Sequence, residues 1–237
     1  MNRFVLMIAK NITKLPGVYS KLCRYAKNPG RYPEIETWNH VKRTLELCVK
    51  AGNVDLQVTG IENIPQEGGF MLYPNHQGLF DIMAIGSTCP QPLGAVYKKE
   101  LNGIPVLKEI MKVTRSYSMD REDVRQSLQV IQAVTQEVKN GRSYLLFPEG
   151  TRSKKGNVMN DFHGGSFRCA VKAKCPVVPA AFIDSFKVLD QKGSKPVTVQ
   201  LHYLKPIAYE EYKELKPAQL ADLVKERIQA CIDEHIY

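Results

Sequence analysis

The stretch Pro74-Asn75-His76-Gln77-Gly78-Leu79-Phe80-Asp81 decides how the rest of the chain is interpreted. It follows Gly69-Phe70-Met71-Leu72-Tyr73, a short apolar run bounded by turn residues, which is typical of a buried strand. The apolar segment from Leu79 to Ser87 then predicts the start of a helix. We therefore expect His76 in a loop where a strand passes into a helix, and α/β sheets place their ligands at such strand ends.

His76 and Asp81 offer a base and its partner. Two helical positions five apart lie about 140° from each other, so the side chains can meet only if His76 precedes the helix. Asp81 can then accept a hydrogen bond from one ring nitrogen, which fixes the tautomer and leaves the other nitrogen free to take a proton. The alternative is a capping turn with an incidental histidine, because so short a pattern also arises by chance.

Strand and helix patterns alternate through the rest of the chain. Further strands are predicted at Val54–Val58, Leu93–Tyr97, Ser116–Met119, Tyr144–Phe147, Val177–Ile183 and Thr198–Leu204. Further helices are predicted at Glu34–Ala51, Val106–Lys112, Glu122–Asn140, Phe167–Lys174 and Pro217–His235. This order predicts an α/β fold with a mixed, largely parallel sheet flanked by helices. We expect residues 1–52 to form N-terminal amphipathic helices and residues 53–237 to form the α/β domain.

Composition excludes several classes of protein. The chain has 237 residues, 43% of them hydrophobic, and no stretch approaches the length of about 18 apolar residues that a transmembrane helix needs. Its six cysteines are scattered without a C-x-x-C pair, which predicts reduced thiols in a cytosolic compartment. His163, Cys169 and Cys175 match no usual zinc spacing, so no metal site is expected.

The first 31 residues carry a one-sided charge. The chain holds 33 basic and 24 acidic residues, for a net charge of +9. Seven of the basic residues and no acidic residue lie in this segment: Arg3, Lys10, Lys14, Lys21, Arg24, Lys27 and Arg31. Charge alone is compatible with nucleic acid, an anionic membrane or an acidic partner protein.

The periodicity of this segment distinguishes among those partners. At about 100° per residue, an apolar stripe lies opposite the basic residues: Phe4, Ile8, Ile12, Leu15, Tyr19 and Leu22. A membrane-surface helix needs both faces, whereas a nucleic-acid arm has no use for the apolar one. We therefore expect residues 1–27 to bind an anionic membrane surface as a two-helix arm bent at Pro16-Gly17, with no nucleic-acid partner. The alternative is a helix packed on its own domain.

A second polar stretch, Phe147-Pro148-Glu149-Gly150-Thr151-Arg152-Ser153, follows the predicted strand Tyr144–Phe147. Gly150 lets the backbone turn tightly, and the planar guanidinium of Arg152 fits a phosphate with two hydrogen bonds. The stretch predicts an anion-binding loop. The alternative is a solvated basic turn.

Together, N-H-x4-D and F-P-E-G-T-R-S resemble the motifs of the glycerolipid acyltransferase family, and in particular the bacterial 1-acylglycerol-3-phosphate acyltransferases. The two motifs are 73 residues apart, counted from His76 to Glu149. The resemblance covers about residues 54–205 and includes the weaker elements Lys98-Lys99-Glu100-Leu101 and Pro176-Val177-Val178-Pro179-Ala180. The chain departs from the family at Arg121, whose surroundings match loosely, and at His163, where many members have lysine.

The resemblance implies a reaction and a role for each matching residue. His76 acts as general base on the hydroxyl of an acceptor, with Asp81 orienting the ring and stabilising the imidazolium. No G-x-S-x-G is present, so no covalent acyl-enzyme is expected. Lys98, or backbone N–H groups after His76, would stabilise the oxyanion. The residues expected to bind the acceptor are Glu149, Gly150, Thr151, Arg152 and Arg121.

The expected function is transfer of an acyl chain from acyl-CoA or acyl carrier protein to lysophosphatidic acid, which yields phosphatidic acid. This would take place at the cytoplasmic face of the cell membrane, with the protein bound peripherally and no cofactor. Two alternatives stay open. One is an acyltransferase acting on glycerol-3-phosphate or another lysolipid, and the other is a non-catalytic lipid-binding module of the same fold.

Overall fold

The computed structural model is built around one sheet of seven strands. It describes residues 2–236. Met1 and Tyr237, at the outer limits of the two predicted segments, lie outside the described residues. The strands are β1 (Val54–Thr59), β2 (Met71–Pro74), β3 (Leu93–Lys98), β4 (Tyr117–Met119), β5 (Ser143–Leu145), β6 (Val177–Ile183) and β7 (Val197–Tyr203). Their spatial order is β1-β7-β6-β2-β5-β3-β4.

Five of these strands run in one direction. β6, β2, β5, β3 and β4 pair in parallel, whereas β7 is antiparallel to β6 and carries β1 in parallel beside it. β2 lies at the centre, where Met71 pairs with Val177 on one side and Tyr144 on the other. The prediction of a mixed, largely parallel sheet is confirmed. The carboxyl ends of five parallel strands therefore meet at one edge of the sheet.

Helices cover both faces of the sheet. They are α1 (Arg3–Asn11), α2 (Leu15–Lys27), α3 (Glu34–Ala51), α4 (Asp81–Thr88), α5 (Leu107–Val113), α6 (Val124–Lys139), α7 (Arg168–Ala173), α8 (Phe186–Leu189), α9 (Tyr209–Tyr212) and α10 (Pro217–His235). One core, under α6 and α10, buries residues such as Val134 and Val224. The other, under α3 and α4, buries Trp38 and Phe80. The fully apolar strand β6 lies between these cores and is buried along its whole length.

The amphipathic pattern of α6 is confirmed only in part. Asp123 caps the helix by accepting hydrogen bonds from two backbone N–H groups, so the helix starts at Val124 and not at Glu122. Val134 and Val138, on the apolar stripe of the helix, are buried. Val124 and Leu128 belong to the same stripe by their spacing, but they are 71% and 42% exposed because they precede the part of α6 that meets the core.

The N-terminal segment forms two helices, as the sequence predicts. The bend, however, lies at residues 12–14, between α1 and α2, and not at Pro16-Gly17. Pro16 instead occupies the first turn of α2, where the missing N–H of proline removes no helical hydrogen bond. Within residues 2–236, no helix combines the length and the apolar character that crossing a membrane requires.

The two helices have both an inward and an outward apolar face. Met7 and Leu22 are each 2% exposed and pack inward. Arg3, expected on the basic face, is buried because its guanidinium donates to the carbonyl groups of Val188, Gly52 and Lys195. The outward apolar residues are Phe4, Val5, Ile8, Ile12 and Tyr19, which are 38–64% exposed. One apolar face thus packs on the domain, as the alternative expects, while another is left open, and binding to a membrane stays a prediction.

Candidate active site

The loop that follows β2 is fastened to β6. The Asn75 side chain accepts a hydrogen bond from the N–H of Phe182 at 2.7 Å and donates to the carbonyl of the same residue at 3.0 Å. The side chain thus extends the pairing of β2 with β6 beyond the end of β2. The Gln77 side chain donates to the same Phe182 carbonyl at 2.9 Å and accepts from the N–H of Ser185. These buried contacts hold His76, which lies between Asn75 and Gln77, at the carboxyl edge of the sheet.

His76 and Asp81 form a hydrogen-bonded pair. Nδ1 of His76 lies 2.7 Å from Oδ2 of Asp81, and Asp81 is the first residue of α4. The Asp81 side chain is fully buried, and its Oδ2 also accepts from the N–H groups of Gln77 at 2.7 Å and Gly78 at 3.0 Å. The hydroxyl of Ser185 donates to the other oxygen, Oδ1. Within the described part of the chain, four donors therefore converge on this one carboxylate.

The His76 ring is held on one face as well. It stacks on Phe147 with the ring centroids 3.8 Å apart and the planes inclined by 20°. Because Asp81 accepts at Nδ1, the proton of the neutral ring is on Nδ1 and Nε2 is the basic nitrogen. Nε2 has no hydrogen-bond partner among residues 2–236, and the side chain is 21% exposed. This arrangement can remove a proton from a hydroxyl that approaches Nε2.

Glu149 supports His76 from the loop that follows β5. Its Oε1 accepts from the backbone N–H of His76 at 2.6 Å, and its Oε2 accepts from the N–H of Asn160 at 2.8 Å. The residue is 2% exposed, and burial raises the pKa of its carboxyl group while the two N–H donors oppose that rise. Each carboxylate oxygen accepts one backbone N–H in this arrangement, and the expected contact of Glu149 with an acceptor stays a prediction. Glu149 positions the base loop.

The remainder of the second motif also meets the base loop. Gly150 has a φ of +70°, a left-handed conformation that glycine adopts without strain, and the chain turns there. The N–H of Ser153 donates to the carbonyl of His76 at 2.9 Å. Arg152 extends along the surface, where its Nη1 donates to Oδ1 of Asp190. Thr151 is exposed. The two motifs are therefore neighbours in the structure.

Lys98 and Arg121 lie farther along the same edge. Lys98 ends β3, and Arg121 lies two residues beyond the end of β4. At about 4.8 Å per strand, two strands and three strands away, they are displaced from β2 by about 10 Å and 14 Å. Lys98 pairs with Glu100 at 2.9 Å. Among the described residues, neither side chain joins the hydrogen-bond network between the two motif loops.

One expectation about the oxyanion is wrong. The N–H groups that follow His76 were expected as oxyanion donors, but those of Gln77 and Gly78 donate to Asp81 and that of Leu79 donates to Asp190 at 2.9 Å. Carboxylates already use these donors because the loop folds around them. Of the two expected sources, Lys98 is the one whose donors are not tied to a carboxylate of the base loop.

Sequence reasoning missed two side chains of the site, Ser185 and Asp190. Ser185 follows the end of β6, the strand beside β2, so the rule that ligands collect at strand ends could have found it. Asp190 follows a helix of four residues and lies outside both motifs, and no local pattern marks it. Both depend on which strands become neighbours.

The donors present do not favour a metal centre. His202, Cys231 and His235 have potential ligand atoms within 4.8 Å of one another. His202 is already bonded through Nδ1 to the Thr59 hydroxyl at 2.7 Å and through Nε2 to Gln200 at 3.0 Å. Nδ1 of His235 lies 2.8 Å from the carbonyl of Cys231. These contacts explain the cluster as hydrogen-bonded packing between β7 and α10.

The fold and the site have the features of an α/β enzyme that activates a hydroxyl by general-base catalysis. A family model described as "Acyltransferase" matches residues 55–183, which include both motif loops. The chain belongs to this acyltransferase family. Ser185 and Asp190 lie just beyond the matched residues.

Curated proteins similar to the chain have one name in common. The chain is 28% identical over 185 residues to a 1-acyl-sn-glycerol-3-phosphate acyltransferase of Saccharomyces cerevisiae, and the match covers 76% of this chain and 61% of that protein. It is 30% identical over 140 residues to the protein of the same name from Helicobacter pylori, covering 57% of this chain and 59% of that protein. The matches thus span about three fifths of the length of these two relatives.

A solved structure resembles the whole chain. The crystal structure of the 1-acyl-sn-glycerophosphate (LPA) acyltransferase PlsC from Thermotoga maritima superposes with a TM-score of 0.80. The superposition covers 98% of this chain and 95% of that one at 22% sequence identity. At this level of identity, the likeness establishes the fold.

Proposed function

We propose that this protein transfers an acyl chain from an acyl thioester, either acyl-CoA or acyl carrier protein, to the free hydroxyl of lysophosphatidic acid. The product is phosphatidic acid. Membership of the acyltransferase family supports the reaction type. The names of the yeast and Helicobacter pylori relatives support the acceptor.

The observation that carries the proposal is the exposed Nε2 of a His76 ring whose Nδ1 is bonded to the buried Asp81. A base of this kind needs an acceptor hydroxyl next to it and a group that holds the acceptor in place. Arg152 lies in the loop whose backbone is bonded to His76 through Ser153, so a phosphate held there would lie close to the base. A lysolipid with a phosphate and a nearby hydroxyl fits both requirements.

The reaction then follows from the site. Nε2 of His76 takes the proton of the acceptor hydroxyl as its oxygen attacks the thioester carbonyl carbon. Asp81 stabilises the imidazolium that forms. The tetrahedral intermediate collapses with cleavage of the carbon–sulfur bond, and the leaving thiolate takes the proton back from Nε2. The ester and the free thiol are the products, and His76 returns to its neutral state.

The remaining residues have supporting roles in this proposal. Arg152 binds the acceptor phosphate with its fork of N–H donors, and Gly150 and Thr151 form the wall of the loop beside it. Glu149 positions the backbone of His76. Farther along the edge, Lys98 is the candidate donor to the oxyanion, and Arg121 is a second candidate for binding the acceptor phosphate. No metal or bound cofactor takes part.

The outward face of α1 and α2 supports a membrane role. Phe4, Ile8 and Ile12 follow one another at intervals of four residues and are 41–64% exposed. Exposed lysines such as Lys10 and Lys14 flank them. Apolar side chains beside cations suit the surface of an anionic bilayer. We therefore assign residues 1–52 to the membrane side and residues 53–237 to the chemistry, with the protein bound peripherally at the cytoplasmic face.

The test is an acceptor panel. Purified full-length protein is incubated with labelled acyl-CoA or acyl carrier protein and with lysophosphatidic acid, glycerol-3-phosphate or another lysolipid, and the products are identified. Phosphatidic acid is expected as the main product. If a different acceptor is acylated and lysophosphatidic acid is not, the acceptor assignment fails.

A matched pair of variants tests the base. His76→Ala is expected to remove nearly all turnover, whereas His235→Ala, which removes a histidine in the last turn of α10, is expected to retain it. Both variants should keep the far-UV circular dichroism of the parent protein. Near-normal rates for His76→Ala would refute the base assignment, and inactivity of the parent protein with every acceptor would favour a non-catalytic lipid-binding module.

A further inference from the structure

Asp190 joins the two loops of the site with a single carboxylate. It follows α8 and lies outside both sequence motifs. Its Oδ1 accepts a hydrogen bond from Nη1 of Arg152, in the loop after β5. Its Oδ2 accepts from the backbone N–H of Leu79 at 2.9 Å, in the loop after β2. The residue proposed to hold phosphate and the loop that carries the base are thus linked through one side chain.

The base loop lies directly against this carboxylate. A Cβ atom at Gly78 would lie 2.6 Å from Oδ2 of Asp190 and 3.1 Å from Cα of Phe186. Real Cβ atoms do not approach other atoms to 2.6 Å, so a side chain at position 78 would have to displace the Asp190 carboxylate. Glycine at this position therefore leaves room for the contact between Asp190 and Leu79.

The pair leaves most of the arginine fork free. A guanidinium has five N–H donors, and the bond to Asp190 uses one nitrogen, Nη1. Among residues 2–236, no other acceptor bonds to the Arg152 side chain, which is 32% exposed. Asp184, the acidic residue closest to Asp190 in the sequence, pairs instead with Lys187 at 2.8 Å. Asp190 thus fixes one arm of the fork while the other donors face solvent.

We propose that Asp190 is a positioning residue that orients Arg152 toward the acceptor phosphate and holds it at a fixed distance from His76. This inference rests on the proposed function, because it takes Arg152 as the phosphate ligand. A carboxylate that accepts one N–H of an arginine restricts the rotation of a long side chain, so less freedom is lost when phosphate binds. The opposite role, a counter-ion that competes with phosphate for Arg152, is an outcome of the test.

The experiment is a double-mutant cycle on the full-length protein. Asp190→Asn, Arg152→Ala and the double variant are compared with Lys187→Gln, a matched control that removes another ion pair from the same short helix. Binding of sn-glycerol-3-phosphate is measured by calorimetry, which requires no turnover. The KM values for lysophosphatidic acid and for acyl-CoA are measured in parallel.

Asp190→Asn is expected to weaken glycerol-3-phosphate binding about tenfold. The carboxylate accepts from Arg152 with one oxygen and from Leu79 with the other, whereas asparagine has only one side-chain oxygen. The acceptor KM should rise by a similar factor while the acyl-CoA KM stays unchanged. In the Arg152→Ala background, the same substitution should have no further effect on binding. Lys187→Gln should match the parent protein in every measurement.

Three results would overturn the inference. Additive effects of Asp190→Asn and Arg152→Ala would show that Asp190 does not act through the arginine. Tighter binding by Asp190→Asn would make Asp190 a competing counter-ion. Unchanged binding by Arg152→Ala would remove the phosphate role of Arg152 and, with it, the role of Asp190. Failure of the proposed function is distinguishable, because it would appear as absent phosphatidic acid in the parent protein and leave the binding cycle intact.

Discussion

Replacing Asp81 by asparagine tests how the base is tuned. The two carboxylate oxygens have different partners among residues 2–236. Oδ2 accepts from three N–H donors, those of His76, Gln77 and Gly78, while Oδ1 accepts only from the Ser185 hydroxyl. An asparagine amide fits with its oxygen at the Oδ2 position and its NH2 group facing Ser185. The reverse orientation would set the NH2 group against three donors, at about 1–3 kcal/mol for each unmade bond.

This geometry predicts the size of the effect. With the oxygen still facing Nδ1, His76 keeps its tautomer, so the loss of about 10⁴ that a reversed tautomer causes should not occur. The lost attraction between imidazolium and carboxylate, at about 4 Å and an effective dielectric constant of about 20, is worth about 4 kcal/mol. At about 1.4 kcal/mol per factor of ten, kcat should fall about 10³-fold.

The assay is the initial rate of phosphatidic acid formation at saturating substrates, together with the thermal unfolding midpoint. Ser185→Ala serves as the companion variant, because it removes the acceptor that the amide NH2 group needs. In the Ser185→Ala background, Asp81→Asn should lose more activity than it does alone. A kcat for Asp81→Asn within tenfold of the parent value, in a folded protein, would refute the electrostatic reasoning, and a loss of about 10⁴ or more would refute the retained tautomer.

Three further predictions follow from other contacts of the site and the arm. Arg152→Lys should raise the KM for lysophosphatidic acid about tenfold without changing the KM for acyl-CoA, because a point charge replaces a fork, and the reverse pattern would move Arg152 to the donor side. The raised pKa of Glu149 means that the folded state holds its proton to higher pH than the unfolded state does. Glu149 should therefore make stability fall as the pH rises from its ordinary pKa through the raised one, and unfolding midpoints of Glu149→Gln should lack this slope. Ile8→Ser should weaken sedimentation with anionic vesicles at an unchanged unfolding midpoint, whereas Met7→Ala should lower the midpoint by removing a buried side chain; equal vesicle binding by Ile8→Ser and the parent protein would show that the exposed face does not meet lipid.

The sequence is most informative where local patterns determine structure. The buried strand before His76, the loop and the helix after it are all present, because each depends on apolar periodicity and turn residues within a few positions. The proximity of the two motifs depends in addition on the pairing of β2 with β5, which the structure shows and the local sequence patterns do not. Family resemblance supplied the roles, which periodicity alone left open.

The sequence is least informative where partners come from distant segments. Glu149 was expected at the acceptor, but its carboxylate turns inward to two backbone N–H groups that no motif identifies. The segment of α1 and α2 offered two competing interpretations, and a helical wheel cannot show that Met7 and Leu22 pack inward while Phe4 and Ile8 face outward. Such assignments depend on tertiary packing, which a single amphipathic stripe does not encode.

The stacking of Phe147 on His76 has a consequence for the kinetic order of the reaction. The His76 ring stacks on Phe147 and is bonded at Nδ1 to Asp81, so it cannot flip by 180° without breaking that hydrogen bond. The nitrogen that takes the hydroxyl proton must therefore be the one that returns it to sulfur. The acceptor hydroxyl oxygen and the thioester sulfur therefore both have to come within about 3 Å of Nε2 in a single ternary complex. The lines of double-reciprocal plots at several fixed acceptor concentrations should thus intersect, and parallel lines would indicate a covalent acyl-enzyme intermediate.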